Sequence, residues 1–384
     1  MIGISKLYCG AVEPADVLRY NRDGKHLPSH LLQFAAIKRP VVVWNMTRRC
    51  NLRCVHCYSQ SQNKAYPGEL TTVEGKAFID DLAAFSCPVI LFSGGEPLMR
   101  QDLPELVRHA TDRGIRAVIS TNGTLINGDF ANTFRRFGLS YVGVSLDGLR
   151  ETHDRFRGVP GAFDEAMAGI RTCLAEGIKV GVRFTINRRN AADIPAIFDL
   201  IEAENIPRAC FYHLVYTGRG SKLIEEDLNH TEARAVLDLI LDRTRLLFDR
   251  GLEKEILTVD NHADGPYVYL RLLRESPDRA ADVLELLKMN EGRGLPPETT
   301  CLINPKAANS KWMRKKKLRD YLHSRLPGRI HDVMSNKENT VELSRRTSVR
   351  SQILIAIGGD GTIADVGVAT AGDGGAGDLL ATVV

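Results

Sequence analysis

Between Pro40 and Val215 the chain repeats one pattern six times: a short, nearly unbroken apolar run, a turn, then apolar residues at helical spacing. The runs are Pro40–Thr47, Pro88–Phe92, Arg116–Ser120, Tyr141–Leu146, Lys179–Ile186 and Ala209–Val215. Helical spacing follows over Thr71–Phe85, Leu103–Arg113, Asp129–Phe137, Phe163–Glu176, Ile194–Glu204 and Thr231–Leu247. Thr71 with Glu74 three residues on is a capping-box signal for the first of these helices. Apolar strands alternating with helices require a parallel sheet covered on both faces. Six units predict an α/β fold, a partial (β/α)6 TIM-like barrel, in which chemistry collects at the C-terminal strand ends.

Of the 384 residues, 43% are hydrophobic and 26% charged, enough to bury a sizeable core. With 51 Lys+Arg against 47 Asp+Glu the formal charge is +4, too mild to argue for nucleic acid as a partner. No run reaches the eighteen or so apolar residues of a membrane span, and the first ten residues lack the apolar core of a secretory signal. A soluble, cytoplasmic protein is expected. Composition divides the chain into an N-terminal extension (1–40), the barrel (41–220), a helical part (221–292) with a second helical stretch at Tyr267–Met289, a Gly/Pro linker (293–300) and a tail of different texture (301–384).

Three of the eight cysteines, Cys50, Cys54 and Cys57, crowd into the loop after the first strand with the spacing C-x3-C-x2-C. In a reducing compartment such clustering favours metal binding over crosslinks. Three thiolates can hold three irons of a four-iron, four-sulfur (4Fe-4S) cluster and leave the fourth open to a small molecule. A structural zinc site with His56 as an added ligand, or an electron-carrier cluster, are the competing readings.

The triad is followed, strand end by strand end, by Ser93-Gly-Gly-Glu-Pro97, Ser120-Thr-Asn-Gly123 and Val144-Ser-Leu-Asp-Gly148. In that order the motifs resemble those of the radical S-adenosylmethionine (SAM) superfamily. The resemblance implies a 4Fe-4S cluster on Cys50, Cys54 and Cys57, with SAM on its open iron. Gly94 and Gly95 would let the backbone approach SAM, with Glu96 as an anion for its ammonium. Thr121, Asn122, Ser145 and Asp147 would offer polar contacts, and Ser145 with Arg157 would hold the ribose or carboxylate. Reduced ferredoxin or flavodoxin would donate the electron.

The stretches Ile2–Gly10 and Val41–Cys54 further resemble the haem-biosynthesis branch, which includes a 12,18-didecarboxysiroheme deacetylase and a nitrite-reductase haem relative. That implies removal of acetate side chains from a siroheme-derived tetrapyrrole. Its carboxylates would call for arginines at the barrel mouth, with Arg155, Arg157, Arg183, Arg188 and Arg189 as candidates and His213 near the substrate or its iron. A peptide-modifying enzyme with the same chemistry is the alternative. The branch commonly carries a second cluster near its C-terminus, whereas this chain has only Cys301 beyond Cys210. Instead Leu302–Asn309 and Ile353–Ile363, with Gly-Gly-Asp-Gly-Thr at 358–362, resemble the start of the diacylglycerol kinase/NAD kinase fold. A kinase-like activity is therefore a further alternative, although the tail reads as a truncated fragment.

Overall fold

A computed structural model describes residues 1–11, 41–261, 263–290 and four short segments beyond residue 298. The strands of the first sheet are β1 (Ile2–Gly3), β2 (Val42–Thr47), β3 (Val89–Gly94), β4 (Arg116–Thr121), β5 (Tyr141–Ser145), β6 (Val180–Thr185), β7 (Arg208–Tyr212) and β8 (Glu255–Val259), the first and last being additions to the six read from sequence. They form one open sheet in the order β1-β8-β7-β6-β5-β4-β3-β2. Every neighbouring pair from β2 to β8 is parallel, and only β1 runs antiparallel, Ile2 opposite Thr258. This is an α/β partial barrel.

The helices are α1 (Ile4–Cys9), α2 (Thr72–Ala84), α3 (Leu103–Asp112), α4 (Gly128–Arg136), α5 (Arg150–Arg157), α6 (Ala162–Ala175), α7 (Ile194–Ala203), α8 (His230–Asp249), α9 (Asp264–Glu275) and α10 (Pro277–Asn290). α2 begins at the capping box, Thr71 Oγ1 accepting from Glu74 N while the Glu74 carboxylate accepts from Thr71 N. The stretch Tyr267–Met289, read as one helix, is two. Ser276 leaves helical geometry at φ −154°, because Pro277 has no N–H to continue the ladder and crowds the residue before it.

Alternation along the strands sorts the sheet into two faces. Outward, Val180, Val182 and Phe184 of β6 are wholly buried beneath the helices, as are Phe92, Ile119, Val144 and Phe211 on its neighbours. Inward, the same strands carry Ser93, Ser120, Ser145, Arg183 and Tyr212. A near-continuous apolar run therefore describes only the helix-covered side.

Residues 1–9 complete the far edge of this sheet: Ser5 Oγ accepts from Ile256 N at 3.1 Å. The compact unit spans Met1–Asn290, so the sequence boundaries near 40 and 220 fall inside it. A second unit, Glu291–Val384, is described through β9 (Thr299–Ile303), β10 (Ile330–Asp332), β11 (Ile353–Gly358) and β12 (Asp378–Val383), all parallel in the order β10-β9-β11-β12. The linker at 293–298, most of the basic stretch between 306 and 350 and the motif residues Gly359–Thr362 lie outside the described residues.

Candidate active site

The C-terminal ends of β2 to β8 surround a cavity of about 320 Å³. Cys50, Cys54 and Cys57 line its β2 side, Gly94, Gly95, Thr121 and Asn122 its middle, and Ser145 and Arg157 the wall beyond. Glu96 and Asp147 stand behind this lining, and both are wholly buried.

The cysteine loop is fastened from three directions. Its β2 end closes on β3 through glycine: Gly95 N donates to Thr47 O at 2.7 Å and Glu96 N to Arg49 O at 2.8 Å. A Cβ on Gly94, at φ +138°, would lie 2.1 Å from Thr47 O, and one on Gly95 would lie 2.4 Å from Arg49 O. The two glycines are thus required by the loop's own backbone. From the second side, Arg53 N and Val55 N donate to the carbonyls of Arg157 and Phe156 at the end of α5. From the third, Arg219 Nε donates to Cys54 O at 2.7 Å and Nη1 to Ser61 O at 3.1 Å. Sequence reasoning missed both α5 and Arg219; the Gly-Arg-Gly at 218–220 just past β7 was the available signal.

The three thiols have unequal surroundings. Leu52 N donates to Cys50 Sγ, Arg157 Nη1 to Cys54 Sγ, and Ser61 N to Cys57 Sγ, each at 3.4 Å. Burial pushes the free Cys50 thiol up to about 12, and burial also raises Cys54 against the pull of Arg157. At Cys57 burial is outweighed by hydrogen bonds from Ser59 and Ser61 and by Arg219, so this thiol ionises more readily than usual.

Among the described residues no three His, Cys, Asp or Glu side chains converge on a point that one metal ion could occupy. His56 turns elsewhere: its ring packs on Phe156 with centroids 4.8 Å apart, and Nε2 lies 3.7 Å from Asp147 Oδ2. This is poor geometry for closed tetrahedral zinc. Separate thiols around one cavity suit a polynuclear cluster, where each thiolate takes a different iron.

Behind the lining runs a buried polar network. The Glu96 carboxylate accepts from Thr121 Oγ1 at 2.7 Å, Asn122 N at 2.8 Å and Leu98 N at 3.1 Å, which fixes the ends of β3 and β4 together. Burial nonetheless pushes its pKa up to about 7. Asp147 Oδ1 accepts from Thr185 N at 2.8 Å, and its other oxygen pairs with Arg157. Burial would raise Asp147, but Arg157 and His56 outweigh it and hold the carboxyl ionised. His153 accepts from Asp147 N at 3.1 Å through Nδ1, so its proton sits on Nε2; burial lowers its pKa to about 3 and keeps it neutral.

The arginine candidates separate clearly. Arg155 pairs with Glu151, Arg188 with Glu232 and Arg189 with Glu226 on the exposed surface. Arg157 and Arg183 line the cavity, together with His213, whose Nε2 is 2.9 Å from Asp264 Oδ2.

A partial barrel with a three-cysteine loop at its mouth defines a class, and the comparisons agree. The radical SAM superfamily model matches residues 44–201. The chain is 66% identical over 292 residues to the Fe-coproporphyrin III synthase of Methanosarcina barkeri, covering 76% of this chain and 73% of that protein. It is 42% identical to the pre-heme d1 synthase of Dinoroseobacter shibae, over 67% of this chain and 63% of that one. The solved structure of Streptococcus suis SuiB bound to S-adenosylmethionine shares the fold, with a TM-score of 0.52 at 17% identity over 59% of this chain and 52% of that one. The chain belongs to the radical SAM superfamily, among its haem-biosynthesis enzymes. The cofactors of this family are a 4Fe-4S cluster and SAM.

Proposed function

We propose that this protein removes acetate side chains from a siroheme-derived iron tetrapyrrole by radical SAM chemistry. The observation that carries the reading is the set of three separate thiols lining one cavity, in a chain 66% identical to a protein named for making an iron coproporphyrin. Cys50, Cys54 and Cys57 would hold the cluster. When bound, cluster and SAM supply a deoxyadenosyl radical able to abstract an unactivated hydrogen atom.

The rest of the work belongs to the chain. Gly94 and Gly95 would present backbone to SAM at the end of β3. Glu96 holds the Thr121 hydroxyl and the Asn122 backbone at the end of β4, and from behind the lining its charge would favour the SAM ammonium. Ser145 and Arg157 would hold its ribose or carboxylate, with Asp147 keeping Arg157 in place. A reduced ferredoxin or flavodoxin would deliver electrons, and the reaction would take place in the cytoplasm.

Anaerobic reconstitution with iron and sulfide, followed by incubation with dithionite as reductant, SAM and 12,18-didecarboxysiroheme, tests this reading. Deoxyadenosine formed together with a tetrapyrrole lighter by its acetate groups is expected. Deoxyadenosine without any change in tetrapyrrole mass would refute the substrate, and one zinc per chain without sulfide would refute the chemistry.

A further inference from the structure

Among the described residues four arginines are buried or part-buried in and around the barrel lumen; two of them pair with a carboxylate and a third is held by the cysteine loop. Arg157 pairs with Asp147 and donates to Cys54 Sγ. Arg208, at the floor of the barrel, lies 3.6 Å from Glu255, which also takes Lys179 at 2.9 Å. Arg219 is held by the carbonyls of Cys54 and Ser61 and acts on Cys57.

Arg183 differs. Its Nε donates to Tyr212 Oη at 3.0 Å, its Nη2 to the same oxygen at 2.5 Å, and its Nη1 to Ser120 Oγ. The guanidinium also lies 4.9 Å from the centroid of the Tyr212 ring. Among the described residues no carboxylate pairs with it. Nor do the tyrosines around it supply a charge: burial raises both Tyr212 and Tyr141, so both phenols stay neutral at physiological pH. A guanidinium part-withdrawn from water without a counter-ion is less well solvated than one on the surface. Here it is braced by a tyrosine and a serine and turned to the cavity it lines.

The cavity lining as a whole is short of anions. Its anionic groups are the three cysteines on the β2 side and one carboxylate, the exposed Asp260. Asp147 behind the lining is taken by Arg157, so nothing in the described lining is bonded to Arg183 but the two hydroxyls. A ligand that completes Arg183 therefore brings its own negative charge.

Position says which ligand. Arg183 is on β6, two residues before Thr185 ends the strand, so it sits about 7 Å further into the barrel than the strand end. Its anchors are on β4 and β7, whereas the cysteines follow β2 at the far edge of the same sheet. Arg157 touches Cys54, whereas the hydrogen bonds of Arg183 go to Tyr212 and Ser120 and none to the cysteine loop. Lying below the strand ends that ring the cavity, Arg183 is placed to meet a substituent that reaches in from the rim.

We propose that Arg183, braced by Tyr212 and Ser120, is the subsite that takes a side-chain carboxylate of the substrate and so fixes which edge of the substrate enters the barrel. This rests on the tetrapyrrole reading above. The planar fork of arginine matches a carboxylate in two bonds, and its present hydroxyl partners leave the charge itself unmatched.

The test measures equilibrium binding to the full-length chain by absorption titration. The ligands are 12,18-didecarboxysiroheme, its methyl ester and, separately, SAM; the proteins are the parent, Arg183→Gln and Arg183→Lys. Loss of one charged hydrogen-bonded partner predicts tetrapyrrole binding weakened on the order of 10- to 100-fold in Arg183→Gln. Arg183→Lys should recover part of that loss, the methyl ester should bind parent and Arg183→Gln alike, and SAM affinity should stay within about twofold, a change of only ~0.4 kcal/mol. Unchanged tetrapyrrole binding in Arg183→Gln, with the parent binding well, overturns the assignment alone. SAM binding weakened by the same factor overturns it in favour of the SAM carboxylate. A parent chain that binds no tetrapyrrole removes the tetrapyrrole reading and this subsite together.

Discussion

The two faces of the barrel sheet are made by the same strands and obey different rules. Outward, Val182, Phe184 and Phe211 are fully buried, and Phe211 stacks on Phe198 of α7 with ring centroids 5.4 Å apart. Inward, one residue along, Arg183 and Tyr212 carry charge and hydroxyl into a cavity. The outer face holds the fold through apolar burial, at roughly 25 cal/mol per Å². The inner face spends some of that stability on polar groups that can meet ligands. Changes to the outer face should therefore move stability and spare the site, and changes to the inner face should do the reverse.

The largest expected effect is on the inner side. Cys54→Ala should abolish assembly of a SAM-responsive cluster and with it all deoxyadenosine formation, as read by iron and sulfide content and by product analysis after anaerobic reconstitution. Unfolding of the apoprotein should shift by less than about 1.5 kcal/mol, because one small buried group is lost from a loop still tied to Arg157, Phe156 and Arg219. Full activity in this variant would break the comparison at its root.

Next comes the outer face. Phe184→Ala empties a wholly buried position beside Phe211, with ring centroids 5.8 Å apart, and should cost about 3–5 kcal/mol in denaturant unfolding. The fraction that remains folded should still take up cluster and SAM like the parent. Loss of cofactor binding out of proportion to loss of folded protein would show that the two faces are not separable.

Sequence legibility follows the same division. The outer face was readable because Val, Ile and Phe recur there without interruption, which set the strands, their order along the chain and the cysteine loop at their ends. α5 was not read because Arg-Glu-Thr-His-Asp-Arg-Phe-Arg is almost wholly polar; its buried face is His153, Phe156 and Arg157, only one of them apolar. β8 was missed for a different reason: Glu255 opens it, and only the structure shows that this carboxylate is buried against Lys179 and Arg208. β1 is two residues long and antiparallel, too short for any periodicity to show. At the site, motif order brought the cysteines, glycines, Asn122 and Arg157 together, but partnership cannot be read from order. Arg155, Arg183, Arg188 and Arg189 look alike in sequence, and only burial and neighbours tell them apart.

Glu96 gives an intermediate effect, on the wall between the two faces. Its folded pKa of about 7 lies above the ordinary 4.5, so its contribution to stability is fully present below about 4.5 and is lost as pH rises through about 7. The whole shift corresponds to roughly 3 kcal/mol. Nearby Arg157 favours the ionised form; His56 and His153, kept neutral by burial, add stability as pH rises toward 6.5, and Cys57 ionises readily, in parent and variant alike, so the difference between the two proteins is what reports Glu96. Measured from pH 4.5 to 8, the stability of the parent apoprotein relative to Glu96→Gln should fall as pH rises. Parallel curves would mean that the three hydrogen bonds to the carboxylate outweigh its burial.

The smallest effect is expected at the rim, where charge is cheap. Arg188 reaches Glu232 through Nη2 at 2.8 Å and donates to Glu225 O through Nη1, and both side chains of the pair are well exposed. Surface pairs of this kind contribute little, since water and salt screen them and two long side chains must be ordered. Arg188→Ala should leave the melting temperature and the tetrapyrrole affinity unchanged within error, at low salt as well as high. Arg183, five residues earlier on the inner face, has no such carboxylate, and the contrast between the two variants isolates burial from charge. A loss of tetrapyrrole binding in Arg188→Ala comparable to that in Arg183→Gln would mean that the substrate is gripped at the mouth of the barrel and not inside it.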